Sequence, residues 1–163
     1  MRTLRKDLSM KKLTLIVALC ATSLFGTTAA WAGDTANVGV SASITGTCKF
    51  TSGGTIAFTL DQTLASAATG VVTSPAFWCT KGTNYTVTDN LGANFVGTQR
   101  KMKNTVTATE LINYTFSYTA TGAGTGKTTP ITLTLTGATV ANADYVNAAA
   151  GSYADTVVMS ITP

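Results

Sequence analysis

The sequence predicts an all-β sandwich, and two observations carry that prediction. Short runs alternate apolar and polar residues with period two, and clusters of Gly, Asn, Asp and Ser separate them. No stretch combines a helical period with caps. Taken in order, VGVSASI puts Val38, Val40, Ala42 and Ile44 on one face, and TIAFTL does the same with Ile56, Phe58 and Leu60. YTV offers Tyr85 and Val87; LINYTFSY offers Ile112, Tyr114, Phe116 and Tyr118. ITLTLT sets Ile131, Leu133 and Leu135 against three threonines, and DTVVMSI presents Val157, Met159 and Ile161. Turns are expected at Ser52-Gly53-Gly54, at 81–84, at 89–92, in the glycine cluster 122–126 and at Gly137. ASAATG (65–70) reads as a short helical turn or a loop. There is no internal repeat, and no linker divides the chain after its leader.

The leader is expected over residues 1–32. MRTLRKDLSMKK is basic, LTLIVALCATSLFG is apolar, and Ala30-Trp31-Ala32 gives the small-x-small pattern of a signal-peptidase site. Cleavage is expected before Gly33. The apolar run is too short for a retained membrane-spanning helix. The leader also explains the charge. The chain carries 11 Lys+Arg and 7 Asp+Glu, but five of the bases and one acid lie in residues 1–32. Six of each remain, so nothing argues for a nucleic-acid or anionic-membrane partner.

Of 3 Cys, Cys20 leaves with the leader. Cys48 and Cys79 are an even pair in an exported chain, so a disulfide is the default, with free thiols as the alternative. Closing that loop contributes about 3–4 kcal/mol in a chain-entropy account. With 0 His, two cysteines do not make a zinc site, and no metal or other cofactor is expected.

TGAGTGKTT (121–129) imitates the second half of a nucleotide-binding P-loop. Its first position is Thr121 where Gly is needed, and the residues after Lys127 form a strand pattern containing Pro130, not a helix. No nucleotide is expected. The stretch reads as a flexible, exposed connection between strands, tolerant of insertion, with Lys127 solvated. The lack of His removes the commonest general base and the Ser-His and Cys-His pairs. The acids Asp34, Asp61, Asp89, Glu110, Asp144 and Asp155 are scattered, so no catalytic residue is assigned and an enzyme is not expected. Arg100, Lys101 and Lys103 read as a solvated edge or turn. Phe77, Trp78 and Tyr85 read as core packing around the disulfide, in preference to a sugar-stacking platform.

The two ends of the mature chain point to function. An alternating strand sits at its start, before Gly46-Thr47-Cys48, and SITP ends the chain directly on a strand. A sandwich lacking its last strand exposes an apolar groove and unpaired backbone groups. A spare strand at one end and a missing one at the other allow head-to-tail assembly by β-augmentation.

The same residues resemble the spore-coat-U-type subunits of archaic chaperone–usher pili, the Csu-like fimbriae. The resemblance runs through Gly46-Thr47-Cys48, Ile56-Ala57-Phe58, SAATG, Cys79-Thr80 and Lys81–Val87. It continues through Arg100 with Met102, Leu111 with Tyr114, and the closing GSYADTVVMSITP. Thr59 stands where Gly often follows the Phe. The resemblance implies an incomplete immunoglobulin-like β-sandwich, completed by donor-strand exchange. It implies a signal peptide (1–32), a donor-strand extension (33–46) and a pilin domain (47–163). Val38, Val40, Ala42 and Ile44 match the donor strand, Cys48 and Cys79 the disulfide, and Val157, Met159 and Ile161 the groove edge that faces the chaperone. The implied partners are neighbouring identical or homologous pilin subunits, a periplasmic chaperone and an outer-membrane usher. The implied destination is a cell-surface fimbrium of a Gram-negative bacterium that supports adhesion and biofilm formation. The alternative is a stand-alone secreted sandwich that binds glycan or coats a surface; there, residues 34–46 would pair with their own sheet.

Overall fold

The computed structural model describes residues 33–163. The expected signal peptide, residues 1–32, lies outside the described residues. The chain divides into two units, Met1–Ala42 and Ser43–Pro163. In the first, residues 33–42 carry no strand or helix and are exposed throughout. The alternation of Val38, Val40 and Ala42 therefore does not make a strand here. Alternation supplies a face, but a strand also needs a neighbour for its N–H and C=O groups.

The second unit is an all-β sandwich. Its strands are β1 (Cys48–Ser52), β2 (Thr55–Ala57), β3 (Ala68–Thr69), β4 (Val71–Thr73), β5 (Ala76–Cys79), β6 (Asn84–Asp89) and β7 (Arg100–Asn104). They continue with β8 (Leu111–Tyr118), β9 (Thr121–Ala123), β10 (Ile131–Thr132), β11 (Leu135–Val140), β12 (Tyr153–Ala154) and β13 (Met159–Thr162). One short helix, α1 (Asn142–Tyr145), follows β11. The neighbour orders are β1-β5-β10, β12-β7-β8-β11-β3, β13-β6-β9 and β2-β4, with antiparallel pairing.

Two extended segments change neighbours midway. ITLTLT, expected as one strand, pairs with β5 at Ile131–Thr132 and with β8 from Leu135 onward. Leu133, between them, is buried and donates its N–H to Pro75 O at 2.9 Å. The second segment runs from Tyr153 to Thr162 and pairs first with β7, then with β6. Strands that switch sheets in this way make the corners of a sandwich. In β11 the register slips between Thr136 and Thr139, where Gly137 has φ +62°. A bulge with a left-handed glycine bends the strand there.

Alternation sets the interior. Phe77 and Cys79 of β5, Tyr85 and Val87 of β6 and Leu133 form one buried cluster. Ile112 and Tyr114 of β8, Val140 and Tyr145 form a second. Cys48 and Cys79 are joined in a disulfide that ties β1 to β5.

Several expectations are corrected. Thr121–Ala123 is a strand against β6, not a free connection. A β-carbon on Gly122 would strike the Tyr85 ring and hydroxyl, and one on Gly124 would strike Cys79 and Thr80 backbone. Glycine is there for close approach, which period and turn chemistry do not reveal. ASAATG contributes β3, paired with β11. NADY forms α1, whose Tyr145 is buried and donates its hydroxyl to Ser66 O at 2.7 Å. Trp78 points away from the disulfide core, because its neighbours Phe77 and Cys79 both point in. Arg100 opens β7 and is half-buried in an ion pair with Asp89 rather than solvated.

Candidate functional site

The two buried clusters do not close over one another. Between them lies an open groove of about 810 Å³, with Phe50, Phe58, Met102, Phe116, Leu135 and Met159 on its walls. Each of these apolar side chains is only half-buried. A second depression of about 820 Å³ shares Ile56, Phe58, Met102 and Tyr153 with it, so the trough is continuous. Exposed apolar surface gathered in one trough marks a binding surface in a soluble protein.

Strand edges bound the trough. Phe50 to Phe58 form one wall, and β1 is the outer strand of its sheet. Tyr153 to Met159 form the other, and β12 and β13 are likewise outer strands. β1 and β13 approach each other without a ladder between them.

Backbone accounting shows which groups face the trough. Val158 N–H donates to Asn90 Oδ1 at 2.9 Å, and Asn90 N–H donates to Val158 O at 3.1 Å. Ala93 N–H donates to Thr156 O at 3.0 Å. Ser160 and Thr162 follow in register with Thr88 and Thr86. Even-numbered residues thus bond inward to the 86–93 segment. Alternate residues of a strand bond to opposite sides, so Val157, Met159 and Ile161 present their N–H and C=O groups outward. Their side chains are half-buried; Val157 and Met159 line the groove, while Ile161 packs on the Phe77 cluster.

Two polar clamps hold this wall. Asp155 accepts from Tyr114 Oη at 2.6 Å and from Asn94 N and Nδ2 at 3.1 Å each. Burial first, then the bond to Asp155 and its charge, push the Tyr114 phenol well above its usual pKa. Asp89, whose side chain is 4% exposed, takes a two-pronged ion pair from Arg100, 13% exposed, with both N–O distances 2.9 Å. Tyr118 Oη also donates to Asp89, at 2.7 Å, and the Arg100 guanidinium stacks on Phe116 at 4.6 Å. Burial pushes the Asp89 carboxyl up, but the bonds from Arg100, Tyr118 and Leu91 N–H and the Arg100 charge outweigh it and hold the carboxyl below its usual range. Burial first, then the bond to Asp89 and its charge, raise Tyr118 to about 12, against the opposing pull of the Arg100 charge. Sequence reasoning missed both clamps. The missing signal was spacing in three dimensions, since Asp89 and Arg100 belong to strands of different sheets.

Among residues of the expected donor segment, Val38 is 85% exposed, Val40 91% and Ile44 85%, and Ala42 is exposed. None belongs to a sheet. Among the described residues no group of three His, Cys, Asp or Glu gathers as for a metal ion. After Lys127 a turn leads into β10, so no helix N-terminus faces a phosphate there. No helix of the described residues is long and apolar enough to cross a membrane.

Fold and groove together define an all-β sandwich with an exposed apolar trough. The family model of the Spore Coat Protein U domain matches residues 34–160, and the chain belongs to that family, whose members are structural coat and fimbrial subunits with an immunoglobulin-like sandwich. No curated protein matched the chain.

Proposed function

We propose that this chain is a pilin, a shaft or adaptor subunit that polymerises by donor-strand complementation. The segment Val38 to Ile44 of one copy fills the trough of the next. The observation that carries this reading is the pair of unpaired strand edges flanking a half-exposed apolar floor. Alternate residues of a strand lie about 6.8 Å apart, so Val38, Val40, Ala42 and Ile44 span about 20 Å along that floor. Each buried Val or Ile contributes roughly 1.5–3 kcal/mol before the cost of ordering the segment. The outward backbone groups of Val157, Met159 and Ile161 supply the ladder. The stand-alone alternative required residues 34–46 to join their own sheet, and no strand forms over 33–47.

Such a subunit needs a partner until assembly, because its trough is a sticky edge. A periplasmic chaperone that lends a strand, and an outer-membrane usher that exchanges it for the next subunit, meet that need. The signal peptide, the donor extension over 33–46 and the sandwich over 47–163 fit that route to a bacterial surface fimbrium, where it would serve adhesion and biofilm formation.

Deleting residues 33–45 and co-expressing a periplasmic chaperone tests the reading. We expect a soluble chaperone-bound chain that forms no polymer. Loss of the chain's own fold on deletion, or a stable full-length monomer without chaperone, contradicts it.

A further inference from the structure

The phosphate-loop look-alike leaves Lys127 without a task, and the structure gives it a setting. Its Nζ stands 5.8 Å from the centroid of the Trp78 ring. Trp78 lies on the outer face of β5, since Phe77 and Cys79 on either side are buried. Lys49 is the cross-strand partner of Trp78, so their side chains leave the same face. Gly126, next to Lys127, packs beside Lys81; a β-carbon there would lie 3.8 Å from Lys81 Cβ. Lys49 and Lys127 therefore flank one indole, and Lys81, a third of the five lysines beyond residue 32, starts beside the loop that carries Lys127. None of these four residues lines the groove. Among the described residues the one ion pair is Arg100–Asp89, so no carboxylate stands at salt-bridge distance from these lysines.

We infer that this outer face binds acidic polysaccharide, with the Trp78 indole against a sugar ring and Lys49, Lys81 and Lys127 against its carboxylate or sulfate groups. An indole offers a rigid apolar plane for a pyranose face and keeps its polar tip in water. Flexible lysines meet spaced anions without needing one fixed geometry. A second copy of this chain does not supply the complement. Its Asp89 and Asp155 are held in clamps, Asp61 is bonded to Thr63 and Asp144 to Asn113. Only isolated carboxylates remain to face three lysines. A nucleic acid or anionic membrane wants a longer basic stripe than three charges. The inference does not rest on polymerisation, although a polymer would repeat the patch and multiply avidity.

The test uses the full chain purified after export, with polygalacturonate, dextran sulfate and neutral dextran as probes. We expect binding to one or both polyanions, loss of that binding as salt rises to about 0.5 M, and none to dextran. Lys49→Gln/Lys81→Gln/Lys127→Gln should weaken binding by at least about tenfold. Trp78→Ala should weaken it further, and Lys101→Gln/Lys103→Gln, on β7, should leave it unchanged. Polygalacturonate and dextran sulfate distinguish carboxylate from sulfate recognition. Failure of the full chain to bind either polyanion overturns the inference. So does equal loss in the β7 variant, which would mean net charge alone is read. Should the triple variant fail to fold, Lys127→Gln alone must still weaken binding measurably. Polymer formation is scored separately, so failure here leaves the pilin reading untouched, and the reverse.

Discussion

At Asp89 four donors meet one carboxylate: Arg100 through both terminal nitrogens, the Tyr118 hydroxyl, and Leu91 N–H at 2.6 Å. Removing the charge leaves a nearly buried guanidinium unpaired. Asp89→Asn should therefore destabilise the fold by about 3 kcal/mol, read by chemical denaturation. The pH dependence comes from the direction of the shift. Folding holds Asp89 below its ordinary value of 3.8, so the clamp contributes fully at neutral pH. Its contribution is lost as pH falls from about 4 through the lower folded value. Asp89→Asn should flatten that acid limb. Tyr118, raised from 10.0 to about 12, works at the other end. The unfolded chain loses this proton first, so stability declines as pH rises from about 10 to about 12, and Tyr118→Phe should flatten that limb. A neighbouring glycine is equally constrained. Gly92 has φ +103°, and a β-carbon there would strike the Asp155 carboxylate. Gly92→Ala should cost more than about 1 kcal/mol, because it adds a displaced groove wall to backbone strain.

Among the elements, the segment from Tyr153 to Thr162 carries the sharpest expectation. The amides of Val158, Ser160 and Thr162 already have partners on the 86–90 side. The amides of Val157, Met159 and Ile161 lie on the open edge of the segment, away from the 86–93 side. Hydrogen exchange of subunits before and after assembly should show protection gained at these three, with Val158 and Ser160 changed far less. Uniform protection along the segment would mean the trough is filled by something other than a paired strand. β9 makes a second case. Inserting residues between Gly122 and Gly124 should reduce yield of folded chain, because both glycines lie against Tyr85, Cys79 and Thr80. How far the elements were legible has the same physical origin. LINYTFSY was read to its ends, because one face of β8 is buried and alternation records that directly. RKMKN was not read as β7, because its charged alternates hid a strand whose Arg100 is paired internally. DTVVMSI showed its face, yet Asp155 to Val158 are held by the 90–94 loop rather than by a strand, a tertiary arrangement that no period encodes.

For the whole molecule, the telling feature is a core left in two clusters with half-exposed Phe50, Phe58, Met102 and Phe116 between them. The sequence disclosed the ingredients of that arrangement, an alternating segment at one end and a closing strand at the other. It pointed to an apolar groove but not to the groove's walls, which come from residues about a hundred positions apart, nor to the outer-face meeting of Trp78 with Lys127. Donor-strand exchange requires that the trough take the chain's own N-terminal segment from another copy. The most direct measurement adds a synthetic peptide of residues 33–46 to a chain lacking residues 33–45 and reads binding and thermal stability together. We expect a one-to-one complex, a raised melting temperature, and loss of both effects when Val38 and Val40 of the peptide are replaced by Asp. A peptide that does not bind, or one whose Asp-substituted form binds equally well, would contradict it.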